Sequence, residues 1–137
     1  MLLTFIGPIR CLSVTPDGRY IVSGSIGKEI KVLSLDKKEL LHTIEDAHND
    51  SINSVEMSKD GKYIISASND RSIRVFDFSK RKKVYTIPDA HKENIFAALV
   101  TPNNNYIVSG SNDNVLKVFV NPYNLHALTI TGINSFH

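Results

Sequence analysis

The sequence has one cysteine, Cys11, in 137 residues. No internal disulfide framework can hold the chain, and an isolated thiol fits a reducing compartment, where it acts as a small buried hydrophobe. No apolar run approaches the length of a membrane span. Charge of one sign is scarce: 16 Lys and Arg stand against 14 Asp and Glu, a net +2, too little to require a nucleic-acid partner on electrostatic grounds alone. The opening MLLTFIGPIRC lacks a basic leader, and its short apolar run ends at Gly7 and Pro8, so it reads as mature chain rather than signal peptide. These absences give a cytoplasmic expectation, with the nucleus also open. The remainder, 42% apolar and 22% charged, has the composition of a globular domain that can bury a core.

What is there is a repeat. VSGSIGKEIKVLS at 22–34 returns as ISASNDRSIRVFD at 65–77 and VSGSNDNVLKVFV at 108–120, each 43 residues after the last. The register never slips: Tyr20, Tyr63 and Tyr106 align, as do Ile9, Ile52 and Ile95, and Lys31, Arg74 and Lys117. A fixed period of this size means stacked units, each unable to bury its apolar face alone.

Within a unit the apolar runs are short, rich in Ile, Val, Tyr and Phe, and closely punctuated, as in INSVEM, KYIISAS, SIRVFDF and KVYTI of the second copy. That pattern predicts four strands per unit, a to d. Thr15-Pro16-Asp17-Gly18, Ser58-Lys59-Asp60-Gly61 and Thr101-Pro102-Asn103-Asn104 supply Gly or Asn where a tight a–b hairpin needs a left-handed residue. Strands such as YIISAS and IRVF carry apolar residues on both faces, which requires sheets stacked on sheets.

Four antiparallel strands at this period make a propeller blade, and the residues resemble the WD-repeat family. The resemblance rests on Ala47-His48 and Ala90-His91 before strand a, on turns of the Pro-Asp-Gly type, on Ser in strand b, on Asp70 and Asp113 in the b–c turn, and on Phe76-Asp77 and Phe119-Val120 ending strand c. The family usually has Trp-Asp at the last place; this chain has no tryptophan. The implied fold is all-β: three four-stranded antiparallel blades of an incomplete WD-repeat-like β-propeller. It forms a single partial propeller over 1–137, with blade 1 at 9–44, blade 2 at 52–87, blade 3 at 95–130, an extra outer strand at 1–5 and a tail at 131–137.

The resemblance also implies a buried hydrogen-bonded chain in each full blade: His48, Ser66 and Asp70 in the second, His91, Ser109 and Asp113 in the third. Ser68 or Ser111 are alternative strand members, since residues two apart share a face. Phenylalanine has no indole donor, so such a chain is expected to have at most three hydrogen-bonding members. In the first blade Gly27 and Leu33 stand for Asp and Phe, and IGP at 6–8 occupies the place of the His-bearing loop.

Ser, His and Asp together also suit a hydrolase, with Ser66 as nucleophile, His48 as base and Asp70 as orienter. Nothing in the sequence offers the exposed nucleophile and oxyanion hole such an enzyme needs, so the reading is of structural groups and no catalytic residue. The repeated Asp46-Ala47-His48 and Asp89-Ala90-His91 hold metal-ligand types, but on separate blades; no metal and no cofactor are expected.

The function implied is a non-catalytic protein–protein interaction scaffold. Transferred position by position, the family's contact residues fall at Pro8, Arg10 and Ile26 in the first blade, Ser51, Asn53 and Asn69 in the second, and Asn94, Phe96 and Asn112 in the third. Arg10 and Phe96 are the expected anchors, because Arg and aromatic residues dominate binding hot spots. An alternative is a nucleic-acid-binding module that uses the basic turn Lys80 to Lys83; a hydrolase comes third. Three blades cannot close a ring of the usual four to eight. Either the chain is a fragment of a longer propeller, which is the expectation, or copies associate through their open blade edges.

Overall fold

The structure, a computed structural model, describes Thr4 and residues 7–122. Among the described residues there is no helix, and eleven strands form three antiparallel sheets. The first contains β1 (Ile9–Val14), β2 (Tyr20–Ser25), β3 (Ile30–Ser34) and β4 (Glu39–Ile44). The second contains β5 (Ile52–Met57), β6 (Tyr63–Ser68), β7 (Ile73–Asp77) and β8 (Lys82–Ile87). The third contains β9 (Ile95–Val100), β10 (Tyr106–Ser111) and β11 (Leu116–Val120). Neighbours in sequence are neighbours in each sheet, as in a propeller blade. The expected outer strand at 1–5, Thr4 apart, and the expected last strand at 127–130 lie outside the described residues.

The backbone repeats as strictly as the sequence. Gly18, Gly61 and Asn104 carry positive φ in the three a–b turns, at 72°, 75° and 62°. In each of these turns a hydroxyl closes the hairpin: Thr15, Ser58 and Thr101 accept from the amides of Tyr20, Tyr63 and Tyr106 and donate to Asp17, Asp60 and Asn103. Thr15 is therefore buried and engaged, which makes Thr15-Pro16 a hairpin element. Lys28, Arg71 and Asn114 repeat the left-handed conformation in the b–c turns, and Asp46 and Asp89 do so in the d–a loops.

Each first strand carries a register shift that leaves Arg10, Asn53 or Phe96 unpaired in the ladder. A bulge of this kind twists the strand and re-aims the extra residue, here toward the end of the sheet where the d–a and b–c loops meet.

Two cores lie between the sheets. Val22, Ile30 and Val32 of the first pack with Ile52, Val55, Ile64 and Phe76 of the second. Ile65, Ala67, Ile73 and Val75, on the other face of the second sheet, pack with Ile95, Ala98 and Ile107 of the third, with Phe119 against them. The middle sheet is thus covered on both sides. Among the described residues the outer two are covered on one side only, and the sequence pattern is apolar on both.

Candidate functional site

The d–a loop enters the second and third blades through Asp-Ala-His. Asp46 and Asp89 take the left-handed turn, with φ of 50° and 46°. The Ala47 and Ala90 amides then donate to the carbonyls of Lys28 and Arg71. The histidines plug inward and are buried. His48 Nδ1 lies 2.9 Å from Asp70 Oδ2 and Nε2 lies 2.6 Å from Ser66 Oγ. His91 repeats this with Asp113 at 2.9 Å and Ser109 at 2.7 Å. The structure therefore brings together all six residues named for the buried chains, with Ser66 and Ser109 as the strand members. Ser68 and Ser111 do something else: each hydroxyl donates to the carbonyl of Ser51 or Asn94 and accepts the amide of Asp70 or Asp113, tying loop to turn.

Charge follows from this geometry. Burial pushes the His48 pKa down, against the pull of Asp70. The ring is therefore neutral near pH 7, donating from Nδ1 to Asp70 and accepting the Ser66 hydroxyl proton at Nε2. Burial alone would raise the Asp70 carboxyl, but hydrogen bonds from His48, Ser72 and the Asn49 amide together hold it well below the usual carboxylate range. Asp113 is lowered as well: desolvation works against the shift, and the bonds from His91 and the Lys92 amide prevail.

Around His48 the network exceeds the expected three members. Ser72 donates to Asp70 Oδ1 at 2.6 Å and sits 3.2 Å from His48 Nδ1. Arg74 reaches the Ala47 carbonyl at 3.0 Å, and Lys117 reaches the Ala90 carbonyl at 2.8 Å in the next blade. The limit of three counted only the family's positions. Ser72, two residues after an Asp in a tight turn, is the kind of residue that bonds back to it. The aligned Lys31, Arg74 and Lys117 were the visible signal for the second addition.

The spacing Asp70, His48, Ser66 is that of a nucleophile activated through a histidine. Chemistry stops there because Ser66 is fully buried, with its hydroxyl also 3.3 Å from the Arg74 carbonyl and no space for a substrate. The Cys11 thiol is half-buried, raised by burial, and points at the Ile52 carbonyl. Among the described residues no group of three or more His, Cys, Asp or Glu is placed to hold a metal ion.

The nine positions named for partner contact fall at one end of the sheets. The Ile26, Asn69 and Asn112 amides donate to the carbonyls of Pro8, Ser51 and Asn94, the same bond in each blade. Beside these pairs stand the three bulge residues. Asn53 joins all three blades: its Oδ1 accepts from Arg10 at 2.7 Å, and its Nδ2 donates to Asn69 Oδ1 at 2.6 Å and to the Ile95 carbonyl at 2.9 Å. Its amide is thus used inside the chain. Pro8, Arg10, Ile26 and Asn112 are exposed, and Phe96 is 51% exposed rather than packed between blades. The basic run Lys80 to Lys83 lies in the β7–β8 hairpin, at the opposite end of the blade.

The profile described as WD domain, G-beta repeat matches residues 1–34, 38–77 and 81–119. No curated protein matches the chain. Among solved structures, the crystal structure of RRP9 WD40 repeats is similar at 25% identity and a TM-score of 0.82, covering 99% of this chain and 39% of that one. The structure of U3-55K is similar at 24% identity, also with a TM-score of 0.82, covering 99% of this chain and 40% of that one. The chain thus spans about two fifths of the length of these structures.

Proposed function

The chain belongs to the WD-repeat family, whose members generally serve as non-catalytic scaffolds for protein interaction, and we propose that it is such a scaffold: three blades of a larger ring, contacting a protein partner through the loop end. The observation that carries the reading is the ladder from Arg10 through Asn53 to Asn69 and the Ile95 carbonyl. It fixes three blades in one geometry, so exposed Ile26, Arg10 and Phe96 are presented on a rigid base, and little ordering entropy is lost on binding. The buried His-Ser-Asp sets are supports for that base, and we assign them no catalytic role because both hydroxyls, of Ser66 and Ser109, are buried. The single, half-buried thiol is consistent with a reducing cellular compartment.

The test is partner affinity for the wild type, for Arg10→Ala and Phe96→Ala, and for a Lys80→Ala, Lys82→Ala double variant, each with its unfolding curve. Both single variants should weaken binding by about tenfold or more, as hot-spot truncations do. Less than about 1 kcal/mol of stability should be lost, because the Arg10 bond to Asn53 is exposed and Asn53 keeps its bonds to Asn69 and Ile95. The reading is overturned if only the basic-turn variant loses affinity and the loss grows steeply with salt, the signature of phosphate contacts.

A further inference from the structure

The meander of each blade sorts its turns by end: the a–b and c–d hairpins lie at one end of the sheets, and the b–c and d–a loops lie at the other. Charge is sorted the same way. The hairpins at 15–20, 34–40, 58–63 and 77–83 hold nine Lys and Arg against five Asp and Glu. The loop-end segments 7–10, 25–30, 44–52, 68–73, 87–95 and 111–116 hold four against eight. A chain whose total is only +2 is therefore polar from end to end, with +4 at the hairpins and −4 at the loops.

The carboxylates at the hairpin end are tied down and the lysines are not. Asp17, Asp60 and Asp77 turn back on their own hairpins, each accepting a side-chain hydroxyl and a backbone amide. Asp36 pairs with Arg19 at 3.5 Å. Lys37 and Lys38 stand on the β3–β4 hairpin, and Lys59 and Lys62 on the β5–β6 hairpin. Lys80, Lys82 and Lys83 stand on the β7–β8 hairpin, and all seven lysines are exposed. Among the described residues none of the seven ammonium groups takes part in an ion pair. One end of two packed blades thus offers a set of unpaired cations on flexible stems.

We propose that the hairpin end rests on an anionic lipid surface, with the loop end facing away from it. A leaflet with acidic headgroups attracts each lysine that reaches it by about fivefold in affinity. Lysine suits mobile headgroups, because a compact charge on a flexible stem needs no fixed geometry of the kind the arginine fork imposes. A nucleic acid fits this end less well. Tyr20, Tyr63, Tyr106 and Phe78 there are half-buried, with Tyr20 and Phe78 packed on each other at 5.5 Å, so bases find no open platform to stack on. The short hairpins also project no helix or long ribbon into a groove. Leu35, 36% exposed beside Lys37, adds an apolar side chain at the headgroup boundary. The negative loop end is repelled by the same surface, which leaves Arg10, Ile26 and Phe96 open to a protein. The two ends meet different partners, so either assignment can fail alone.

The experiment is cosedimentation of the full chain with vesicles of phosphatidylcholine alone, or of an equal mixture with phosphatidylserine, at ionic strengths from about 0.01 to 0.15 M. The expected result is binding to the mixed vesicles only, weakening as salt is added. Lys80→Ala with Lys82→Ala should lower the partition coefficient by about twentyfold. Lys28→Ala with Lys92→Ala, the same change of charge at the loop end, should leave it unchanged. All four positions are exposed, so the circular dichroism spectra should match the wild type. No binding to the mixed vesicles at the lowest salt, equal losses from the two pairs, or an RNA oligonucleotide that strips the chain from the vesicles at matched phosphate would each overturn the proposal. Arg10→Ala and Phe96→Ala should bind vesicles as the wild type does, which keeps this test apart from that of the scaffold reading.

Discussion

Removing the Asp70 carboxylate tests whether the His-Ser-Asp sets are structural supports. Asp70→Ala takes away the acceptor of four donors: His48 Nδ1, the Asn49 amide, the Ser72 amide and the Ser72 hydroxyl. The Asn49 bond is exposed, so water replaces it. The Ser72 hydroxyl can turn to His48 Nδ1, only 3.2 Å away, which limits a second loss. What remains is a buried, poorly satisfied imidazole and turn amide, at about 1–3 kcal/mol each when left without a partner. The variant should therefore lose about 3 kcal/mol, a large share of the roughly 5–15 kcal/mol that holds a domain together. Urea denaturation of wild type, Asp70→Ala, His48→Leu and the double variant gives the coupling. Replacing both partners leaves no orphaned donor on the ring, and the first blade already has Gly27 at the place of Asp70 and no histidine in the sequence before Ile9. The double variant should thus be about 1–3 kcal/mol more stable than the sum of the singles predicts. A loss below about 1 kcal/mol for Asp70→Ala, or simple additivity, would refute a supporting role for the network.

Other consequences are open to measurement. Both the Asp70 and His48 shifts are downward, so the unfolded chain binds more protons than the folded one, and stability must fall with acidification. The His48 contribution is present above its unfolded pKa of about 6.5 and declines below it, and the Asp70 contribution declines below about 4; His48→Leu should flatten the first of these slopes in chemical unfolding followed across pH. Phe76→Ala, which empties a fully buried ring site between two blades, should cost about 3–5 kcal/mol by urea denaturation. Gly24→Ala should cost about 1–3 kcal/mol because its Cβ would lie 2.6 Å from Cys11 Sγ and 2.7 Å from Ile52 Cγ2. Gly110→Ala should leave the urea midpoint within error of wild type, because its Cβ would meet nothing within 4 Å.

Much of this architecture is legible in the sequence because the period carries it. Once 22–34, 65–77 and 108–120 are aligned, Gly18, Gly61 and Asn104 have to be turn residues, and the structure gives all three positive φ. His48, Ser66 and Asp70 were nameable through the resemblance to the WD-repeat family, whose blades carry a histidine, a serine and an aspartate at these places. The rest depends on three-dimensional proximity that spacing does not convey. Ser72 joins His48 across 24 positions because the b–c turn folds it back. Arg74 donates to the Ala47 carbonyl, 27 positions away, where a charge pattern alone would read as solvated surface. Asn53 reads as a surface amide, and its engagement with Arg10 and Ile95 depends on the bulge in β5, which no residue type announces. Phe96 could have been an inter-blade plug or an exposed anchor, and only the bulge in β9 turns it to the loop end.

The proposed contact surface is the loop end, held by the Arg10 to Ile95 ladder. Photo-crosslinkers at Ile26, Asn112 and Lys82 test it directly, in cells, with competition by unlabelled wild type and by the Arg10→Ala, Phe96→Ala double variant. The expected result is a discrete protein adduct from positions 26 and 112, abolished by wild-type competitor, spared by the double variant, and absent from position 82. Adducts formed only from position 82, or loop-end adducts that the double variant competes away as well as wild type does, would contradict it.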